Sequence, residues 1–212
     1  MTIQACHDYF DLLADKQEGL YFTDDWKDNF ISQACIEYVK QHLPSVENGG
    51  VNFEVDQVSY NNLYTLIYTT GTTTMTTGGV VTISALQSLL NTASSSTEPF
   101  MAILGVNWTK SGKTLPVKWT RQNNWFKDIR NPFKVGDANE PIYKYDKVNM
   151  TFYPVDVNAS LSFTLLKQPK TVDLGSGVGI ELPEHTHKRV VEMAVDIAAI
   201  TMRDQELRVL NS

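Results

Sequence analysis

The sequence predicts an α+β fold: an N-terminal helical hairpin packed with a long C-terminal helix, and a β-rich antiparallel insert between them. Three observations point there. Apolar residues recur at spacings of three and four over the first forty residues. From Val51 to about residue 170 they alternate in short runs separated by Gly, Pro, Asn and Asp. Helical spacing returns after Pro183. The expected divisions are a hairpin over 1–48, an insert over 51–172 that holds a Thr/Gly loop at 69–79, and a closing helix over 181–207. The short β segments and the missing βαβ rhythm argue against a doubly wound sheet.

Thr2 is placed to cap a first helix running to about Lys16, with Cys6, Tyr9, Phe10, Leu13 and Ala14 as its apolar stripe. Gly19 ends it. Thr23 caps a second helix, with Asp24 and Asp25 in the first turn, where exposed amides favour acids. Its expected inner face is Trp26, Phe30, Ile31, Ala34, Cys35, Tyr38 and Val39, and Pro44 and Gly49-Gly50 stop it. VNFEVDQVS, from Val51, and NLYTLIYTT, from Asn62, both read as strands. The stretch from Thr69 to Gly79 has nothing heavy enough to anchor a core. It reads as a long loop or mobile arm, and Thr72, Thr73, Thr74, Met75, Thr76 and Thr77 are its candidate assembly residues.

VVTIS, from Val80, reads as a strand that leads into a short helix capped by Ser84, and SSSTEP, from Ser94, as a linker. Five short aromatic or branched runs then read as strands: FMAILGVNW, LPVKWTR, PIYKYD, VNMTFYP and SLSFTLLK. Tyr145-Asp146-Lys147-Val148 makes a hairpin turn between the third and fourth. GSGVG, at 175–179, is expected as a flexible joint. Pro183 stands at the first position of the last helix, whose face is Val190, Val191, Ala194, Ile197, Ala198 and Thr201. The packing face shared by the two chain ends is thus expected to include Trp26, Phe30, Val191, Ala194 and Ile197.

Composition narrows the function classes. A chain of 212 residues with 42% hydrophobic residues can bury a core without disulfides or a structural metal. Its formal charge of −6 disfavours broad gripping of phosphate backbones. Cys6 and Cys35 form no disulfide framework and no C-x-x-C pair, which fits a reducing compartment or a fold indifferent to oxidation. No apolar run approaches the length of a membrane span, and MTIQACHDYFDLLADKQ lacks the basic start and apolar core of a signal peptide.

No motif assembles a catalytic set, and no cofactor is expected. SGKT, at 111–114, ends like a phosphate-binding loop, but Asn107 stands where the pattern needs Gly, and Leu115-Pro116 follows where it needs a helix. A turn between strands is the better reading. GSGVG lacks the spacing of a dinucleotide loop. Glu184 and His187 are three apart and share a helix face, whereas His185 and His187 do not; this falls short of a zinc set. Cys6 and Cys35 lie on apolar stripes and read as core thiols. The run KWTRQNNWFKDIRNPFK, 118–134, interleaves basic and aromatic residues. It reads as a protein interface, as core with solvated neighbours, or as a platform for single-stranded bases. Trp125, Phe126, Arg130 and Phe133 are its candidate subunit or partner contacts.

Three segments carry a resemblance. They are CHDYFDLLADKQEGLYFTDDWKDNFISQACIEYVKQHL near the start, IRNPFKVGDANEPIYKYDKVNMTFYP in the middle, and ELPEHTHKRVVEMAVDIAAITMRD near the end. In their order, the chain resembles the neck or ring proteins of crAss-like tailed bacteriophages and, more distantly, the head-to-tail adaptors of short-tailed phages. The resemblance implies a non-enzymatic virion protein, found in the host cytoplasm during assembly and in the neck or tail afterwards. It implies a homo-oligomeric ring, commonly a dodecamer, that meets the portal protein and other neck, ring or tail proteins. Genomic DNA would pass through the lumen without specific binding, and no membrane is involved. The alternatives are another phage tail or capsid accessory protein, or a nucleic-acid binding module using 118–134.

Overall fold

The computed structural model describes residues 1–15, 22–43, 57–130 and 140–210, with side chains described as far as 203. The chain divides into a helical unit, Met1–Leu66 with Gln168–Ser212, and a β unit, Ile67–Lys167. The helical unit is therefore assembled from both ends of the sequence. Its helices are α1 (Ile3–Asp15), α2 (Asp24–His42), α3 (Gln57–Leu63) and the long α6 (His187–Leu210). Thr2 Oγ1 accepts the Ala5 N–H at 3.2 Å and so caps α1. Thr23 stands at the N-cap of α2 without a side-chain cap bond.

Helix α6 packs on both α2 and α1. The seam is dry: Phe10, Ile31, Ala34, Val39, Val190, Val191 and Ala194 are all fully buried. Small residues at Ala34, Ala194 and Ala198 let the helices approach closely, which favours dispersion contacts along the stripe. Phe30 is buried, as expected, but Ile197 is only half-buried. Trp26 is a correction: it is 43% exposed and touches Phe30 only edge-on, with ring centroids 6.0 Å apart. The inward position of that turn belongs to Lys27, three residues before Phe30 and four before Ile31, at the N-terminal end of the stripe.

The expected strand VNFEVDQVS lies partly outside the described residues, over 51–56; from Gln57 the chain is helical. NLYTLIYTT also departs from expectation. Only Ile67–Thr69 is strand, because Ser59, Leu63 and Leu66 are buried at helical spacing ahead of it. GSGVG is a tight turn rather than a flexible joint. Asp173 and Val178 bridge across it, and the Asp173 carboxylate accepts from the Ser176 N–H and hydroxyl. The loop is pinned to α2, with the Val172 N–H donating to Ser32 Oγ at 2.9 Å and the Leu174 N–H to Asp28 Oδ2 at 3.0 Å.

The β unit has two sheets. In the first, β1 (Ile67–Thr69), β9 (Ser160–Lys167), β4 (Phe100–Lys110) and β5 (Lys113–Pro116) lie in that order, and β2 (Thr73–Thr74) also pairs with β9. In the second the order is β3 (Val80–Thr82), β8 (Asn149–Tyr153), β7 (Ile142–Tyr145), β6 (Lys118–Trp119). Every pairing is antiparallel except β6 with β7. Helix α4 (Ile83–Ser94) is capped by Thr82, whose Oγ1 accepts the Ala85 N–H, two residues before the expected Ser84. Alternate residues of both sheets, Val106, Trp108, Leu161 and Phe163 from one and Tyr143, Met150 and Phe152 from the other, meet Leu86 and Leu90 of α4 in one core. SGKT is the expected turn, with Ser111 at φ 49° and Gly112 at φ 77° between β4 and β5. Asp146 closes the expected β7–β8 hairpin by accepting the N–H groups of Val148 and Asn149.

The Thr/Gly stretch is not a free arm. Thr73 and Thr74 are in register with Leu161 and Ser160, and Met75 is 3% exposed in the core. Thr72, Thr76 and Thr77 flank this anchor, and the Thr76 carbonyl accepts from Gly79. A flexible thioether fills the gap that threonines alone would leave.

The buried seam makes a graded expectation. Val191→Asp should cost several kcal/mol, on the order of an unpaired buried charge. Ile197→Asp, at the half-buried rim, should cost about 1–2 kcal/mol. Urea midpoints for the two variants check the order, and equal midpoints would refute it.

Candidate functional site

The basic and aromatic segment forms one edge of the β unit. From β5 the chain passes through Val117, whose N–H donates to the Val106 carbonyl, into β6. The Lys118 N–H donates to the Pro141 carbonyl at 2.9 Å and the Thr120 N–H to the Tyr143 carbonyl at 2.8 Å. The intervening Trp119 therefore turns its own N–H and C=O away from β7, onto the open edge of the sheet. Its indole is 51% exposed. Lys118 pairs across the edge with Glu140 at 2.9 Å.

Helix α5 (Trp125–Arg130) follows. Successive helical residues diverge, so Trp125 and Phe126 have opposite fates. Trp125 is 6% exposed and lies beneath Lys144, whose Nζ is 5.3 Å from the ring centroid. As a surface contact it is corrected: it anchors α5 to the sheet. Phe126 is 67% exposed, and Arg130, one turn on, shares its face. Phe133 lies outside the described residues. Arg121, Lys127 and Arg130 are exposed and make no ion pair among the described residues. Among the described residues β6 is thus the last strand of its sheet, Trp119 and Phe126 are each exposed, and Arg121, Lys127 and Arg130 make no ion pair, features that protein interfaces use.

Charge is divided between the units in a way the total of −6 hides. The β unit carries 10 basic and 6 acidic residues, a balance of +4; the helical unit carries 8 basic and 18 acidic, a balance of −10. On α1 the exposed Asp8, Asp11, Leu12 and Asp15 follow helical spacing along one face. Asp11 Oδ2 lies 2.7 Å from Lys27 Nζ, and Asp24 Oδ1 lies 3.4 Å from it. Burial works against the Lys27 ammonium, but these carboxylates outweigh it and hold its pKa above the ordinary lysine value. The same hydrogen bond holds Asp24 below the ordinary carboxylate value. Buried His7 joins the group through Nε2, 2.7 Å from Asp28 Oδ1. A buried lysine and histidine between helices were missed in the sequence because both residue types ordinarily mark solvated surface.

The other sequence candidates separate. Glu184 faces the Met1 ammonium at 2.9 Å, and His187 Nε2 donates to the Leu182 carbonyl at 2.7 Å. Burial lowers the His187 pKa. His185 Nε2 donates to Asn62 Oδ1, whose amide in turn donates to His42 Nε2. Among the described residues no three His, Cys, Asp or Glu side chains are grouped to hold a metal ion. Both cysteines are buried; burial pushes the Cys35 thiol up to about 12 and raises Cys6 as well. No described helix is long and apolar enough to cross a membrane. No family model matches the chain, and no curated protein matches it.

Two outcomes follow from this geometry. Trp125→Ala should cost about 3–5 kcal/mol of stability, while Phe126→Ala should stay within about 0.5 kcal/mol; chemical denaturation of both variants decides. The Lys27 group should show in the pH dependence. A raised lysine pKa stabilises the fold below about 10.4, and that stability is lost as pH climbs through the folded value. The lowered Asp24 pKa stabilises above about 4, and is lost as pH falls through the folded value. Lys27→Met should flatten both limbs of a plot of urea midpoint against pH; unchanged limbs would refute the coupling.

Proposed function

We propose that this chain is a non-catalytic ring subunit of a tailed-phage neck, joining portal to tail around the genome channel. The observation that carries the assembly half of this reading is the β6 edge, unpaired among the described residues, with Trp119 exposed on it and Phe126 exposed on α5. An edge strand is a template for pairing with another chain, and large exposed aromatic side chains gain from being covered by a partner. The resemblance of three ordered segments to crAss-like neck proteins supplies the virion half. A closed ring needs two different faces on each subunit, and the opposite charge balances of the two units are compatible with that need. The net charge of −6 favours passage of DNA without sticking.

A second reading, nucleic-acid binding by 118–134, is favoured by the exposure of Arg121, Lys127, Trp119 and Phe126 within one short segment. It requires DNA affinity that falls steeply with salt.

Reconstitution with portal and neck components, read by particle imaging, tests the first reading. Closed rings seated between portal and tail are expected. Trp119→Ala with Phe126→Ala should weaken their assembly by about 2 kcal/mol or more, without lowering the melting temperature of the free chain. A chain that never joins a ring or a neck, yet binds DNA in a salt-dependent way, would replace this reading with the second.

A further inference from the structure

The open edge of the β unit and the α1 face of the helical unit are opposite in sign and alike in design. Each exposes large apolar side chains among charges: Trp119 and Phe126 among Arg121, Lys127 and Arg130 on one, Leu12 among Asp8, Asp11 and Asp15 on the other. We propose that the occupant of the β6–α5 edge is a second copy of this chain, docked through its α1 face, so that copies associate head to tail. The proposal rests on the reading of the chain as an assembling subunit, and it names the two surfaces that mate.

Charge complementarity selects this occupant. The balance is +4 in the β unit and −10 in the helical unit. An edge-to-edge pairing of two β units would bring like charges together around Trp119, which is unfavourable. Docking the edge and α5 to α1 pairs arginine and lysine with aspartate while bringing exposed aromatic surface against Leu12. Asp8 and Asp15 are the available acids, since Asp11 already serves Lys27. The two mating surfaces differ, so the contact is heterologous. It leaves one of each surface unfilled on every pair and therefore propagates until it closes.

The same cations would also suit a nucleic acid, and the test separates the two. The full chain is made with Arg121→Glu and Lys127→Glu, and separately with Asp8→Lys and Asp15→Lys. All four positions are exposed, and melting temperatures near the parent's are the control. Sedimentation should show the parent associating, and each variant alone associating roughly tenfold or more weakly, because like charges now face each other. Mixing the two variants should restore association, since each then offers what the other needs. Restoration on mixing is the diagnostic result; a lost basic patch alone would not be rescued. Association that ignores both reversals, a mixture that stays apart, or a parent that stays monomeric overturns the proposal. So does a monomeric parent that binds a DNA oligonucleotide through Arg121 and Lys127. Imaging keeps the two readings distinct: rings indifferent to the reversals would preserve the ring reading and remove this contact. Charge-directed filaments that never join a neck would do the opposite.

Discussion

The pairing of β1 with β9 is the constraint on which the rest of the chain depends. The helical unit is built from both ends of the sequence, so about a hundred residues must leave it and return to nearly the same place. Closing a loop of that length costs conformational entropy that grows with the logarithm of its length. The register Ile67↔Leu166, Tyr68↔Leu165 and Thr69↔Thr164 brings departure and return side by side. Paired strands stand about 5 Å apart, so the two crossing points emerge as neighbours. Strand β9 also pairs with β4 and β2, so every strand of its sheet except β5 is hydrogen-bonded directly to it. With β9 in place, the β unit is closed on itself, and α1, α2 and α6 are free to form an uninterrupted helical seam.

That seam is apolar along its centre and charged at one end. Between α1 and α2, Lys27 and His7 are buried, and their partners Asp11, Asp24 and Asp28 come from both helices. Ion pairs of this kind add little net stability over apolar replacements, yet removing a single partner is costly. Asp28 has a further role. Its second oxygen accepts the Leu174 N–H, tying the returning chain to α2 before it reaches α6. One carboxylate thereby connects the first helix, the second and the segment leading to the last.

Most elements were legible because their apolar period matched their environment. α1, α2, α6 and the strands β4, β7, β8 and β9 face a core on one side, and their sequences carry that one-sidedness. The misreadings have physical causes. α3 is too short to declare its period, and the β-branched residues around it favour extended chain in isolation. Met75 is a lone heavy residue among threonines, and only the strand opposite reveals that it faces inward. In the candidate site, the basic and aromatic run marked the right segment. It could not separate Trp125 from Phe126, because a six-residue helix assigns them to different sides only once β7 lies beneath it. The charge division became visible only after the boundaries at Leu66/Ile67 and Lys167/Gln168 were known.

The two thiols of the helical unit give the seam a built-in clock. Cys6 and Cys35 are each 1% exposed, and the thiolate needed for alkylation is suppressed by the same burial. A reagent in solution can therefore reach them only through excursions that part α1 or α2 from their neighbours. The rate at which label accumulates reports how often such excursions occur. A second subunit or ring that clamps these helices would slow that accumulation without making any contact with either sulfur.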